Sequence, residues 1–163
     1  MPDTKKTVIV YYSLTGNCEA VANELADVHG ADKIRLQPNT EPPKNGIGMY
    51  AKGGAAALRG ARPMLMNSML DVSGYENVIL VAPVWAGKLA PAMGSFVERA
   101  MPSGKKVGIV VCSKSGRGDG VISYLREKIE PGSKVVAALN LVEPLSNMEA
   151  MKSELKDFGT ELF

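Results

Sequence analysis

The residues with the clearest chemical potential form a short polar loop, Ser13-Leu14-Thr15-Gly16-Asn17-Cys18, directly after the apolar run Val8–Tyr12. A strand that turns tightly into a helix here brings together free backbone N–H groups and the positive end of the helix dipole. Ser13 and Thr15 add hydroxyl donors, and Gly16 permits an unusual backbone conformation. Because the loop contains no lysine or arginine, it predicts a phosphate monoester held by amides and hydroxyls. A capped helix start without a ligand is the alternative.

Residues that other kinds of site require are missing from the chain. It has neither the G-x-x-x-x-G-K-[ST] loop of P-loop proteins nor the G-x-G-x-x-G motif of dinucleotide-binding proteins. Two distant cysteines, Cys18 and Cys112, and one histidine, His29, cannot assemble a zinc-like cluster. His29 lies at the far end of the first predicted helix, which favours a helix-end role over catalysis. Tightly held ATP or NAD and a metal site are therefore not expected.

Two further loops carry groups that suit a flat ligand. Pro83-Val84-Trp85-Ala86-Gly87 follows another apolar run, and Trp85, the only tryptophan, offers a flat stacking face there. The loop Ser113-Lys114-Ser115-Gly116-Arg117-Gly118 follows a third run and can supply backbone donors to the polar edge of a ring. A plug at the edge of the core is the alternative role for Trp85.

Alternating strand and helix patterns must position these loops. Continuous apolar runs and one short alternating segment predict strands at 8–12, 32–36, 77–82, 106–111 and 134–142. Residues 37–77 are irregular, with a helix predicted over Met49–Arg59 that Gly53-Gly54 weakens. The order β-α-β-(α)-β-α-β-α-β-α predicts an α/β, doubly wound parallel sheet with helices on both faces. Ligands of such sheets bind beyond the carboxyl ends of the strands, where the three loops lie.

In this order the three loops resemble those of the flavodoxins. The first is similar to the phosphate-binding [TS]-x-T-G-N-T loop of that family, the second to its P-x-[WY]-x-G loop beside the flavin ring, and the third to its serine- and glycine-rich loop. The resemblance extends over about residues 6–160. It implies a flavodoxin-like, five-stranded sheet of order 2-1-3-4-5, non-covalent FMN and a redox role. The cofactor-binding residues that it implies are Ser13, Leu14, Thr15, Gly16, Asn17, Cys18, Pro83, Val84, Trp85, Ala86, Gly87, Ser113, Lys114, Ser115, Gly116 and Gly118.

The sequence departs from the flavodoxin pattern in three respects. Cys18 stands where the family has threonine, and a thiol at a helix N-terminus is either reactive, with a lowered pKa, or packed in the core. The third loop has no aromatic residue, which predicts an open outer face of the flavin. Lys88, Lys114 and Arg117 in the ring-binding loops favour an anionic reduced flavin, unless they form only a solvated face.

Composition limits the remaining possibilities. The 163 residues predict one domain, residues 1–163. A net charge of +2 gives no indication of nucleic-acid binding. With no signal peptide and no long apolar stretch, we expect no membrane span and a cytoplasmic protein with reduced thiols. Methionines at helical spacing predict core filling, with a docking patch at Met64, Met66 and Met69 as the alternative.

Three functions remain open on the sequence alone. The first is an FMN-binding electron carrier between redox partner proteins, which the three loops and the lack of a catalytic cluster favour. The second is a small FMN-dependent NAD(P)H:quinone-type reductase, which the missing aromatic and the basic loops favour. The third is a flavin-free interaction module on the same fold. The sequence does not decide between enzyme and carrier, and it does not determine the oligomeric state.

Overall fold

A computed structural model of the chain describes residues 7–67, 70–160 and 162. The N-terminal residues 1–6 and Met69 of the predicted methionine patch lie outside these ranges. Strands and helices alternate along the described part of the chain. In order, they are β1 Thr7–Tyr11, α1 Asn17–His29, β2 Asp32–Arg35, α2 Gly46–Leu58, β3 Asn77–Trp85, β4 Lys88–Leu89, α3 Pro91–Arg99, β5 Lys106–Ser113, α4 Asp119–Ile129, β6 Lys134–Val142 and α5 Pro144–Thr160.

Five of the strands form a parallel sheet in the order β2-β1-β3-β5-β6. This confirms the predicted doubly wound fold, because these are the five strands of the order 2-1-3-4-5. The remaining strand, β4, pairs antiparallel with the end of β3. Sequence reasoning missed it because two residues are too few to show a periodic pattern.

Helices cover both faces of the sheet, as predicted. Side chains alternate along β1, so that Val8 and Val10 point into one core cluster and Ile9 and Tyr11 into the other. Helices α3 and α4 pack on the first cluster, and α1 and α5 pack on the second. All five residues of β1 are buried, which explains why its sequence reads as a continuous apolar run.

Between β2 and α3 the structure differs from the sequence predictions. The predicted loop at Pro83 is still strand, because β3 continues to Trp85 and pairs there with β4. Helix α2 begins at Gly46, three residues before the predicted start. Met64 and Met66 are exposed instead of filling the core, since they flank the isolated bridge between Pro38 and Leu65. None of the helices in the described part of the chain combines the length and apolar character of a membrane span.

Cys18 and Cys112 lie in the core between the sheet and helices α1 and α5. Both are free thiols, and Cys18 is 1% exposed. Burial, with a smaller contribution from the neighbouring Cys112, raises the pKa of the Cys18 thiol. Burial therefore contradicts the reading of Cys18 as a reactive thiol and supports its packing role.

Gly108 on β5 permits the close approach of the C-terminal segment to the sheet. A Cβ atom at this position would lie 2.6 Å from Leu162 Cδ1 and 2.7 Å from Phe158 Cζ. The same segment is held at its end by Asn77, whose Nδ2 donates to the Leu162 carbonyl oxygen at 2.7 Å. Any side chain at position 108 therefore requires the buried side chains of Leu162 and Phe158 to move.

We predict that Gly108→Ala lowers the free energy of unfolding by about 1–3 kcal/mol, the usual result of overpacking a core. Urea denaturation measures the change. Gly120→Ala is the matched control, because nothing lies within 4 Å of a Cβ at that helical position. Equal stability of the two variants would contradict the close approach of the C-terminal segment.

We also predict that the folded protein does not react with Ellman's reagent at pH 8, because burial keeps the Cys18 thiol protonated and inaccessible. In denaturant, two thiols per chain should react. Labelling of one thiol in the folded protein, at the rate seen in denaturant, would restore the reactive reading of Cys18.

Candidate functional site

A cavity of about 420 Å³ lies at the carboxyl ends of β1, β3 and β5, in the size range of small-molecule sites. The topology makes this edge a switch point, because the connections after β1 and β3 pass to opposite faces of the sheet. The residues that line the cavity are Ser13, Leu14, Thr15, Asn17, Cys18, Met49, Tyr50, Gly54, Pro83, Val84, Trp85, Ala86, Gly87, Cys112, Ser113, Lys114, Ser115 and Arg117.

The first loop presents donors at the start of α1. Gly16 has a φ of +103°, a conformation that suits glycine, and its N–H donates to Ser13 Oγ at 3.1 Å. No side chain caps α1. The N–H groups of a helix's first turn have no acceptor within the helix, so here they are available to a ligand. The exposed Thr15 hydroxyl lies beside them, and together these groups suit a phosphate.

Two residues outside the first loop hold it in place. Arg35 of β2 donates from Nη2 to the Ser13 carbonyl oxygen at 2.7 Å and from Nη1 to Glu19 Oε2 at 2.9 Å. Asn17 Oδ1 accepts from the Leu145 N–H at 2.9 Å, which ties the loop to the beginning of α5. Sequence reasoning did not identify Arg35. The one sequence feature that could have indicated it is a cation at the end of a short edge strand.

The second loop is a tight hairpin that presents Trp85. Trp85 pairs with Lys88 across the β3–β4 ladder, and the two residues between them have positive φ, +51° at Ala86 and +73° at Gly87. Two positive φ values in a two-residue connection match the twist of a β-hairpin. The indole packs edge-on against Tyr12, with 5.8 Å between ring centroids. Trp85 is thus held at the cavity wall by its own strand and by the core.

Helix α2 lies across the second loop and closes one side of the cavity. A Cβ at Gly53 would lie 3.5 Å from Trp85 Cε3, and one at Gly54 would lie 3.5 Å from Ala86 Cβ. The two glycines that weaken the helix in sequence therefore lie on the side of α2 that faces this loop. Met49 and Tyr50 from the same helix line the cavity. Sequence reasoning missed both, because the register of a glycine-rich helix gave no indication of which side faces a ligand.

Tyr50 supplies an aromatic ring where the third loop has none. Its hydroxyl accepts a hydrogen bond from Lys114 Nζ, and the same ammonium lies 4.8 Å from the ring centroid. Contact with Tyr50 raises the pKa of Lys114, which therefore stays charged. The third loop itself contains no aromatic residue, and a helix remote in sequence brings one beside it.

The third loop has the same construction as the first. Ser113 is buried, its Oγ accepts from the Gly116 N–H at 3.0 Å, and Gly116 has a φ of +78°. Asn140 Nδ2 donates to the Gly116 carbonyl oxygen at 2.9 Å and anchors the loop on β6. Arg117 lines the cavity, and no partner for its side chain occurs among the described residues. This part of the cavity wall therefore carries a cation, although the first loop has none.

The cavity brings together all the predicted site residues except three glycines. Gly16 and Gly116 support the turns of their loops without lining the cavity, whereas Gly118 packs under Val111 and Asn140. A side chain at position 118 would collide with both, so close packing explains that glycine. Cys18 lines the cavity, but its thiol belongs to the core. The lining residues outside the predicted cofactor-binding set are Met49, Tyr50, Gly54, Cys112 and Arg117, of which Arg117 was expected in a ring-binding loop as a nearby cation.

The described residues that line this cavity carry positive charge but no negative charge. Among the described lining residues the charged groups are Lys114 and Arg117, with no histidine, aspartate or glutamate. His29 lies at the other end of α1, where its Nε2 is 3.2 Å from the Leu155 carbonyl oxygen. The described residues hold no cluster of metal-ligating side chains.

Comparison with solved structures shows that other proteins have the same fold. A candidate flavoprotein from Bacteroides uniformis superimposes with a TM-score of 0.74 and 18% identity, covering 93% of this chain and 96% of that chain. A flavoprotein from Lactobacillus acidophilus, solved in complex with FMN, gives a TM-score of 0.70 and 16% identity, covering 90% and 98%. At these identities the likeness shows the fold alone.

Sequence comparison gives the family. A curated NAD(P)H dehydrogenase (quinone) from Azorhizobium caulinodans is 29% identical over 99 residues, 58% of this chain and 46% of the relative. The match thus spans about half the length of that relative. The model of the flavodoxin family matches residues 6–157. Because this match covers most of the chain, the protein belongs to the flavodoxin family.

Proposed function

We propose that this protein binds FMN non-covalently in the cavity at the carboxyl edge of the sheet and carries electrons between partner proteins. The observation that carries the proposal is the uncapped start of α1 beside a cavity walled by Trp85. Family membership supports FMN as the cofactor, as does the complex that the Lactobacillus acidophilus flavoprotein forms with FMN. The buried free thiols support a reducing compartment, the cytoplasm.

The three loops have different roles in binding FMN. The N–H groups at the start of α1 and the hydroxyls of Ser13 and Thr15 hold the phosphate. Trp85 packs against the ring system, while Lys114 and Arg117 place positive charge on the cavity wall. Bound FMN supplies the redox chemistry by accepting and releasing electrons. The protein binds the cofactor, orients it and shields part of it from water.

The residues that line the cavity favour a carrier. A reaction on a bound substrate commonly uses a positioned acid or base, and the described lining residues include no carboxylate or imidazole. Tyr50 and Met49 from α2 occupy one side of the cavity, which restricts the access of a second planar molecule. Electron transfer needs only close approach of a partner protein to the cofactor.

A quinone-type reductase is the second candidate. Two observations favour it: the curated relative is named an NAD(P)H dehydrogenase (quinone), and Lys114 and Arg117 give the cavity a positive wall. Positive charge near a flavin stabilises its anionic reduced form. In this reading, the acceptor is a small quinone-like molecule in place of a partner protein.

We predict that Gly16→Asp weakens FMN binding by more than about 100-fold, which corresponds to about 3 kcal/mol. The new carboxylate lies beside the phosphate-binding amides and repels the phosphate, and the φ of +103° disfavours any side chain. Quenching of flavin fluorescence measures the affinity.

Gly30→Asp is the matched control for this variant. It places the same side chain at the other end of α1, at a φ of +68° with nothing within 4 Å of its Cβ. Both variants therefore carry backbone strain, but only Gly16→Asp places a carboxylate where it repels the phosphate. Equal affinity of the two variants would remove the first loop from the site, and no FMN binding by the unchanged protein would favour the flavin-free module.

We predict that NADH or NADPH alone does not reduce the FMN-loaded protein within minutes under anaerobic conditions, whereas a flavoprotein reductase with NADPH reduces it within seconds. Stopped-flow measurement of flavin absorbance follows both reactions. Rapid bleaching by NAD(P)H alone, followed by turnover with menadione, would reject the carrier in favour of the reductase.

A further inference from the structure

A second cavity of about 350 Å³ shares one wall with the first. Trp85 is the residue common to the two sets of lining residues. The other walls come from the segment before α2, from α2 itself, from the segment after it and from the beginning of α3. The proposed function assigns no role to this cavity.

Ring-bearing and small apolar side chains form most of the lining of the second cavity. The indole of Trp85 and the ring of Tyr12 meet edge to face in its wall. Four prolines complete the wall: Pro38, Pro42, Pro63 and Pro91. Proline rings and aromatic side chains lose little conformational freedom when a ligand binds. Such walls suit a planar hydrocarbon framework better than a flexible chain.

The charges around this cavity are predominantly positive. Lys52 lies on α2 and Arg59 directly follows its last residue, one on either side of Ala56 in the lining, and their side chains have no partner among the described residues. Arg62 is already bound, to Glu98 Oε1 at 2.9 Å and to the Tyr124 hydroxyl at 3.1 Å. The lining contains one carboxylate, Glu41, which accepts a hydrogen bond from the Tyr12 hydroxyl at 3.1 Å. Two cations thus remain for an incoming anion.

We propose that the second cavity binds a planar aromatic anion, a ring system that bears a sulfonate or carboxylate. The ring packs among the prolines and Trp85, and the anionic group meets Lys52 and Arg59. This function is separate from FMN binding and does not depend on it. Because both ligands contact Trp85, any effect of one ligand on the affinity of the other must be reciprocal.

Anthraquinone-2-sulfonate is a suitable probe, since it is flat, anionic and water-soluble. We expect isothermal titration of the oxidised, FMN-saturated protein to show saturable binding of one molecule per chain. Lys52→Gln combined with Arg59→Gln should weaken this binding about tenfold or more, as expected for the loss of contacts to a charged group. Ala56→Phe, which fills the cavity, should abolish it. FMN affinity should stay unchanged in both variants.

Lys134→Gln combined with Lys156→Gln is the control, because it removes the same charge from exposed positions on β6 and α5. Equal weakening by the two double variants would show general electrostatic attraction and overturn the proposal. The absence of saturable binding would also overturn the proposal. Binding that occurs only when FMN is left out would overturn it too, because it would place the probe in the first cavity. If Ala56→Phe abolishes binding while both double charge variants still bind the probe normally, the proposal that the ligand is an anion would be wrong.

Discussion

Parallel pairing of β1, β3 and β5 is the constraint on which the rest of the site depends. Parallel strands end at the same edge of a sheet, so the segments that follow them must meet there. Loops separated by dozens of residues in sequence become the walls of one cavity in this way. The helix that starts after β1 points its unpaired N–H groups into the same space. No side chain has to be charged for a phosphate to be attracted.

Helix α2 forms and packs against the second loop despite a locally unfavourable sequence. A glycine inside a helix is less favourable than alanine by about 0.8–1 kcal/mol, and α2 carries two in succession, Gly53 and Gly54. Both glycines lie against the second loop, where an added Cβ would be in ordinary contact with Trp85 or Ala86. That proximity brings Tyr50 to the first cavity and Lys52 to the second. The instability of the isolated helix is thus compensated by its contacts.

The sequence predicted those features that depend on local patterns. Buried strands, the order of elements and the three loops follow from apolar runs and from residues such as Gly16 and Trp85, whose types restrict their environment. Features that depend on contacts between distant segments could not be predicted from the sequence. Tyr50 reaches the third loop, and Arg35 reaches Ser13, only because the folded chain brings them together. The burial of Cys18 against Cys112 likewise required two strands and a helix to be in place.

The hairpin that presents Trp85 has a consequence for the order in which the site assembles. Its ladder joins residues within one short segment, Val84 to Leu89, whereas the pairing of β1 with β3 brings together Thr7 and Asn77, 70 residues apart in sequence. Closing a long loop carries an entropic penalty before any contact compensates for it, so non-local pairing is the slow step in folding. The wall that faces the ring can therefore form early. The phosphate-binding end of the cavity exists only after the two halves of the sheet have joined.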